Sequence, residues 1–197
     1  MGTMEANLAY KALKLFKKTL GISQNFSVQI EKNIPVASGL GGGSSDAAAV
    51  LVALNKLTGL NLEKEKLSLL AKKIGMDVPF FLESTPCLAT HYGEKLTPLK
   101  PIKGITFKLL PQESWPTLPV ENLDQKTEQM YATLDLEKCG KRLLQTDKLL
   151  KGIETGSPVE VLENLHNDFE TLLDLDQNTY LSGAGPAVFT ATVDNPN

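Results

Sequence analysis

Residues 34–57 read IPVASGLGGGSSDAAAVLVALNKL, and few backbone arrangements accommodate that order. Gly39, Gly41, Gly42 and Gly43 come first, Ser44, Ser45 and Asp46 follow, and a run of helix formers begins. A helix start leaves its first N–H groups without intrahelical partners, and the peptide dipoles add partial positive charge there. Glycines just ahead of it permit positive φ and let a bulky anion approach without meeting Cβ atoms. The pattern therefore predicts a loop and helix N-terminus whose amides receive phosphate. Ser44 and Ser45 add hydroxyls that can cap the helix, touch a phosphate oxygen or ligate Mg²⁺, and Ala47, Ala48 and Ala49 allow close packing of the first turn. Asp46 is expected to cap the helix, because a carboxylate beside phosphates repels them unless a cation intervenes.

Two widespread phosphate loops do not fit. The P-loop needs a lysine after its last glycine, and none is present. In the dinucleotide fingerprint the third glycine position would be Ser44, and the acidic partner would fall near Glu63, outside any visible strand.

The rest of the chain reads as α+β in two parts. Residues 7–20 form an amphipathic pattern with Leu8, Ala12, Leu15 and Phe16 on one face and Gly21 as a stop. Alternation in FSVQIEK, residues 26–32, predicts a half-buried strand. Helices are expected at 44–57 and 63–74, a turn and short apolar segment at 75–82, and strands at 88–99 and 105–110. Prolines 98, 101, 111, 116 and 119 suggest a boundary between 100 and 120, dividing the chain into residues 1–110 and 111–197. Helices at 127–134, 140–151 and 158–173 precede a closing YLSGAGPAVFTATV, a glycine turn between two strand-like pieces.

Composition narrows the function classes. Of 197 residues 42% are hydrophobic and 22% charged, and the net charge is −3 with both signs interspersed. No basic footprint suggests nucleic acid, and no apolar run reaches the length of a membrane span. Cys87 and Cys139 show no metal-ligand spacing and read as reduced, partly buried thiols of a cytosol-like compartment.

The glycine loop resembles the nucleotide loop of the GHMP kinases, which include galactokinase, homoserine kinase and mevalonate kinase. ANLAYKALKLF ahead of it, IGMDVPFFL, YGEKLTPL, HNDFE and LSGAGPAVF resemble further segments of that family, so the resemblance runs from about Asn7 to Val193. It implies a two-domain α+β architecture. A truncated N-terminal domain like domain 2 of ribosomal protein S5 carries the loop, a ferredoxin-like C-terminal domain follows, and the site lies in the cleft between them. It implies an ATP- and Mg²⁺-dependent kinase of a small-molecule alcohol, monomeric or homodimeric, in bacterial cytoplasm or a plastid stroma. The four-glycine loop points to the branch that phosphorylates the 2-hydroxyl of 4-diphosphocytidyl-2-C-methyl-D-erythritol in non-mevalonate isoprenoid synthesis. A homoserine or mevalonate type kinase and a non-catalytic nucleotide-binding module are the alternatives.

Carried over residue by residue, the resemblance gives Pro35, Val36, Ala37, Ser38, Gly39, Leu40, Gly41, Gly42, Gly43, Ser44 and Ser45 to ATP, with Asn7 near the adenine and Lys32 on the nucleotide side. Ser44 is the candidate Mg²⁺ ligand. Asp77, in G-x-D-V-P, is the candidate catalytic carboxylate that takes or orients the acceptor's proton. Flanked by apolar residues, it is expected to be held in place and partly desolvated; composition alone favours an Asx-turn aspartate that caps its own backbone, and the resemblance reverses that preference. Thr127 and Tyr131 match a T-x-x-x-[YF] pattern set against the cytidine end of the substrate; a helix cap and a core contact are the plainer readings. Gly183 and Gly185 match the third glycine motif. His91-Tyr92-Gly93 departs from the family's G-[KR]-G, and Thr85-Pro86-Cys87 from its Gly-Thr-Ala-like pattern. The family's opening P-A-K-L-N-L segment, whose lysine and asparagine face the substrate, does not occur. The expectation is that the parent protein is a kinase and that this chain alone is impaired or a fragment.

Overall fold

The computed structural model describes residues 4–83, 85–135, 137 and 139–194. Their contacts divide them into two units: residues through Val36 with Gly41–Leu99, and Ala37–Leu40 with the residues from Lys100 onward.

The first unit is built on helices α1 (Leu8–Leu20), α2 (Gly42–Leu57) and α3 (Lys64–Lys72). Local chemistry sets the ends of α1. The Asn7 side chain accepts from the Ala9 N–H at 2.9 Å, and Gly21 closes the helix in the left-handed region at φ 66°. Ala9, Ala12 and Phe16 form its buried face, and α2 buries Ala47, Ala48, Leu51 and Leu54 at helical spacing. Leu67, Leu70 and Ala71 of α3 and Val78 complete this core. Phe16 and Leu51 have no exposed surface, and burying each contributes roughly 1.5–3 kcal/mol.

Val78–Leu82 forms a 3₁₀ turn, followed by strands β1 (Cys87–Thr90) and β2 (Lys95–Pro98). These pair antiparallel from Cys87↔Pro98 to Thr90↔Lys95, so the single strand expected at 88–99 is a hairpin. Its turn has His91 at φ 61° and Gly93 at φ 104°, which an uninterrupted strand does not allow.

The strand expected at 26–32 does not form. Alternation makes a strand only where a neighbour supplies the ladder, and none does among the described residues. With α2 residues including Val50, Ala53 and Leu57, this segment lines a cavity of about 410 Å³.

The second unit contains a three-stranded antiparallel sheet. Strand β5 (Val188–Val193) lies between β3 (Ile105–Leu109) and β4 (Thr179–Leu181). Pairings include Ile105↔Val193 and Tyr180↔Phe189, and the latter two rings stack at 5.6 Å. Helices α4 (Lys126–Thr133), α5 (Leu143–Thr155) and α6 (Pro158–Glu163) accompany the sheet. Leu118, Met130, Phe169, Leu181, Ala184 and Val188 make the core.

The helix expected at 158–173 breaks after Glu163. Asn167 starts a new 3₁₀ turn, Asp168–Leu172, through a reciprocal capping box with Glu170. A residue whose side chain caps the next turn cannot also continue the previous helix. His166 therefore lies in the break and not in a helix. Its Nδ1 donates to the Asn164 carbonyl at 2.7 Å, and its Nε2 lies 3.3 Å from the Thr146 hydroxyl. No helix among the described residues is long and apolar enough to cross a membrane.

Candidate functional site

Pro35 and the exposed Val36 lead into the glycine loop. Residues Ala37–Leu40 pack within the second unit, where their carbonyls are taken in succession. The Ala37 carbonyl accepts from Lys126 Nζ at 2.9 Å, that of Ser38 from the Ala187 N–H at 2.9 Å, and that of Gly39 from the Ser182 hydroxyl at 3.1 Å. Gly39 is held at φ 86°, and a Cβ there would fall on the Ser182 carbonyl. This glycine is required by what lies behind the loop. Ser38 is buried, its hydroxyl accepts weakly from the Leu40 N–H at 3.4 Å, and the N–H groups of Ser38 and Gly39 have no acceptor among the described residues.

From Gly41 onward the loop packs within the first unit. Gly41, at φ 72°, is the N-cap of α2 and supplies no side-chain cap. The N–H groups of Gly41, Gly42, Gly43 and Ser44 have no acceptor among the described residues, and the first intrahelical bond runs from Ser45 N to Gly41 O at 2.9 Å. The Ser45 hydroxyl donates to the Gly42 carbonyl at 2.9 Å, whereas that of Ser44 is unpartnered among the described residues. A Cβ at Gly41 would lie 2.5 Å from the Phe81 ring, one at Gly42 3.0 Å from Ile34, and one at Gly43 no nearer than 3.7 Å to Leu8. An unsatisfied run of amides at the start of a sixteen-residue helix is a fit for a phosphate chain.

Asp46 is not the cap. It is past the first turn of α2, and its carboxylate meets Lys32 Nζ at 2.7 Å. This brings the candidate Lys32 beside the helix start. No group of three or more metal-ligating side chains occurs among the described residues. A Mg²⁺ ion here would depend chiefly on phosphate oxygens and water, with the Ser44 hydroxyl available. Asn7 commits its side-chain oxygen to capping α1 and leaves its amide N–H₂ without an acceptor among the described residues.

Asp77 precedes the 3₁₀ turn at φ −85°, ψ −14°. It caps nothing, so it is not an Asx-turn aspartate. It is also exposed, not partly desolvated, because its burying neighbours Val78 and Pro79 turn away into the core. Its carboxylate has no hydrogen-bond or ion partner among the described residues. The hairpin turn lies alongside: a Cβ on Gly93 would be 3.8 Å from Asp77 Oδ1. In that turn Glu94 accepts from the Tyr92 N–H at 3.0 Å. Hydrogen bonds from its own backbone, then from that of Tyr92, hold its carboxyl below the usual range.

In the second unit Thr127 is the second residue of α4, exposed and not a cap. Tyr131 is 61% exposed, with one ring edge against Phe169 at 4.9 Å, so it is not a core residue. Gly183 and Gly185 sit at φ 55° and 69° in the turn before β5. Asn167 Nδ2 holds that turn by donating to the carbonyls of Leu181 at 3.0 Å and Gly183 at 2.7 Å. The turn thus meets Ala37–Leu40 through Ser182.

Sequence reasoning missed Lys126. It is 5% exposed, donates to the carbonyls of Ala37 and Gly185, and has no carboxylate partner among the described residues. Burial holds its pKa below the ordinary lysine value. The one signal in the sequence was a cation at the first position of a helix, where the dipole disfavours it.

Comparison with known proteins fits this geometry. The family described as GHMP kinases N terminal domain matches residues 7–84. The 4-diphosphocytidyl-2-C-methyl-D-erythritol kinase of Caldicellulosiruptor saccharolyticus is 38% identical over 203 residues, covering 95% of this chain and 67% of the relative. This chain belongs to the GHMP kinase family. A Clostridium perfringens relative of the same name is 35% identical over 206 residues, and this GHMP chain spans 68% of it. A solved 4-(cytidine 5'-diphospho)-2C-methyl-D-erythritol kinase superposes with a TM-score of 0.70 at 30% identity, covering 93% of the chain and 68% of that structure. Homoserine kinase from Cytophaga hutchinsonii gives 0.78 at 17% identity over 98% of this chain and 68% of that one, a likeness of fold.

Proposed function

We propose that this GHMP kinase transfers the γ-phosphoryl of ATP to the 2-hydroxyl of 4-diphosphocytidyl-2-C-methyl-D-erythritol. The observation that carries the phosphoryl-transfer reading is the run of unpartnered amides from Gly41 to Ser44 at the start of α2. The acceptor follows from relatives at 35–38% identity that bear its name.

Residues Pro35 to Ser45 bind the triphosphate, with Mg²⁺ near Ser44 neutralising its charge and Asn7 and Lys32 on the nucleotide side. Asp77 takes the proton of the attacking hydroxyl. An exposed carboxylate with no competing donor among the described residues is free to do so. Thr127, Tyr131, Gly183 and Gly185 serve the cytidyl end, where the exposed Tyr131 ring offers a face to a base.

ATP consumption with three acceptors tests the reading: the cytidyl substrate, homoserine and mevalonate. The expected result is ADP release with the first alone. Phosphorylation of homoserine or mevalonate in its place would overturn the assignment.

A further inference from the structure

We propose that Lys126 is a positioning residue for the nucleotide loop, its buried ammonium holding the Ala37 carbonyl so that the Ser38 amide is turned to the opposite side and left free for phosphate. The proposal rests on the reading of this loop as the ATP loop.

The geometry is specific. Ala37 sits at φ 58°, a left-handed conformation that costs an L-residue about 1–2 kcal/mol. Such a residue persists where its surroundings over-determine it. Lys126 Nζ donates to the carbonyl of this same residue at 2.9 Å. In a trans peptide the C=O and N–H point in opposite directions. Fixing the Ala37 carbonyl therefore fixes the Ser38 N–H on the opposite side. The Ser38 and Gly39 carbonyls are held in the same way by Ala187 N–H and Ser182 Oγ, which sets the Gly39 amide, without an acceptor among the described residues, and the Leu40 amide, which donates weakly to Ser38 Oγ. Of these three donors Lys126 alone carries charge, and it also holds the Gly185 carbonyl of the facing turn.

Burying an ammonium against two carbonyls, with no carboxylate partner among the described residues, is an expensive way to fill space. Its return is direction. A charge-assisted hydrogen bond holds a carbonyl more strongly than a neutral one, and a cation behind a row of amides adds to their attraction for a polyanion.

The test is Lys126→Met in the full chain, with three readouts: the Kd of a non-hydrolysable ATP analogue with Mg²⁺, the KM of the acceptor, and kcat at saturating ATP. The expected result is a loss of about tenfold or more in analogue affinity, with kcat at saturating ATP and acceptor nearly unchanged and any rise in acceptor KM, through the Gly185 carbonyl that Lys126 also holds, smaller than the loss of analogue affinity. Lys126→Arg, which keeps charge and donors, should recover most of the affinity. Where the Met variant does not fold, Lys126→Gln carries the same expectation. Equal loss in analogue affinity, acceptor KM and kcat, or unaltered analogue affinity, overturns the positioning role while the ATP reading stands. Failure of the unaltered chain to bind the analogue overturns both.

Discussion

Asp46 and Lys32 form an ion pair at 2.7 Å, which ties the start of α2 to the extended segment before the loop. Both side chains remain about a third exposed, so solvent screens the pair. Asp46→Asn should change stability by no more than about 1 kcal/mol. Because the carboxylate already has a cation, the Mg²⁺ concentration giving half-maximal ATP consumption should also stay put. A marked rise in that concentration would place Asp46 on the metal.

Asp77 contributes no bond to the fold among the described residues, so removing its charge should be structurally silent. Asp77→Asn is expected to lower kcat by about 10²–10⁴-fold, the range of general-base catalysis, with Tm and ATP-analogue affinity close to those of the unaltered chain. Turnover that survives the substitution would remove Asp77 from the chemistry.

The loop glycines should separate into two kinds. Gly41→Ala forces a Cβ into the left-handed region, at about 1–2 kcal/mol, and onto the Phe81 ring. Its Tm should fall clearly. Gly43→Ala meets nothing closer than 3.7 Å and gains about 0.5–1 kcal/mol of helix preference. It should melt no lower than the unaltered chain yet bind the ATP analogue more weakly, since the new methyl group crowds the phosphate path. Thermal melts paired with analogue titrations read both effects.

Tyr131 is the aromatic to truncate on the acceptor side. Its edge contact with Phe169 is worth about 0.5–1.5 kcal/mol, so Tyr131→Ala should lower Tm modestly. The larger expected change is a several-fold rise in acceptor KM with ATP KM constant, on the scale of one lost stacking contact. Tyr131→Phe should restore acceptor KM if the ring face is what binds.

Lys126 also predicts a pH dependence. Burial holds its folded-state pKa below the ordinary 10.5. Between those two values the unfolded chain binds more protons than the folded one, so this residue makes stability rise with pH. Below the folded pKa both states are charged, and the full cost of burying the ammonium opposes folding. The Tm of the unaltered chain should therefore gain on that of Lys126→Met as pH climbs toward 10.5. A difference independent of pH would mean that the folded pKa is not depressed.

Helices α1 and α2 were readable because their signals lie within a few residues. Asn7 bonds to Ala9 and Gly21 to Lys17, and Ala47 and Ala48 both favour the helix and pack into the core. Residues 26–32 and 158–173 misled for opposite reasons. The first has the alternation of a strand but no neighbouring strand among the described residues, and the second has helical composition interrupted by the Asn167 capping box. Asp77 was legible as a candidate from its family motif, but its exposure was not, because VPFFL suggests burial while Val78 and Pro79 alone of its immediate successors are buried.

Local order along the chain was enough to announce a glycine loop opening a helix, and its wider motifs were enough to announce the GHMP family. Backbone preferences and caps act across at most a turn or two, so they survive in a one-dimensional reading. The direction of the peptides that follow Ala37 and Gly39 was decided elsewhere. It depends on Lys126, 89 residues from Ala37, and on Ser182, 143 residues from Gly39. Hydrogen bonds over such separations exist only once the chain has folded, which is why a lysine with no motif of its own became part of the candidate site.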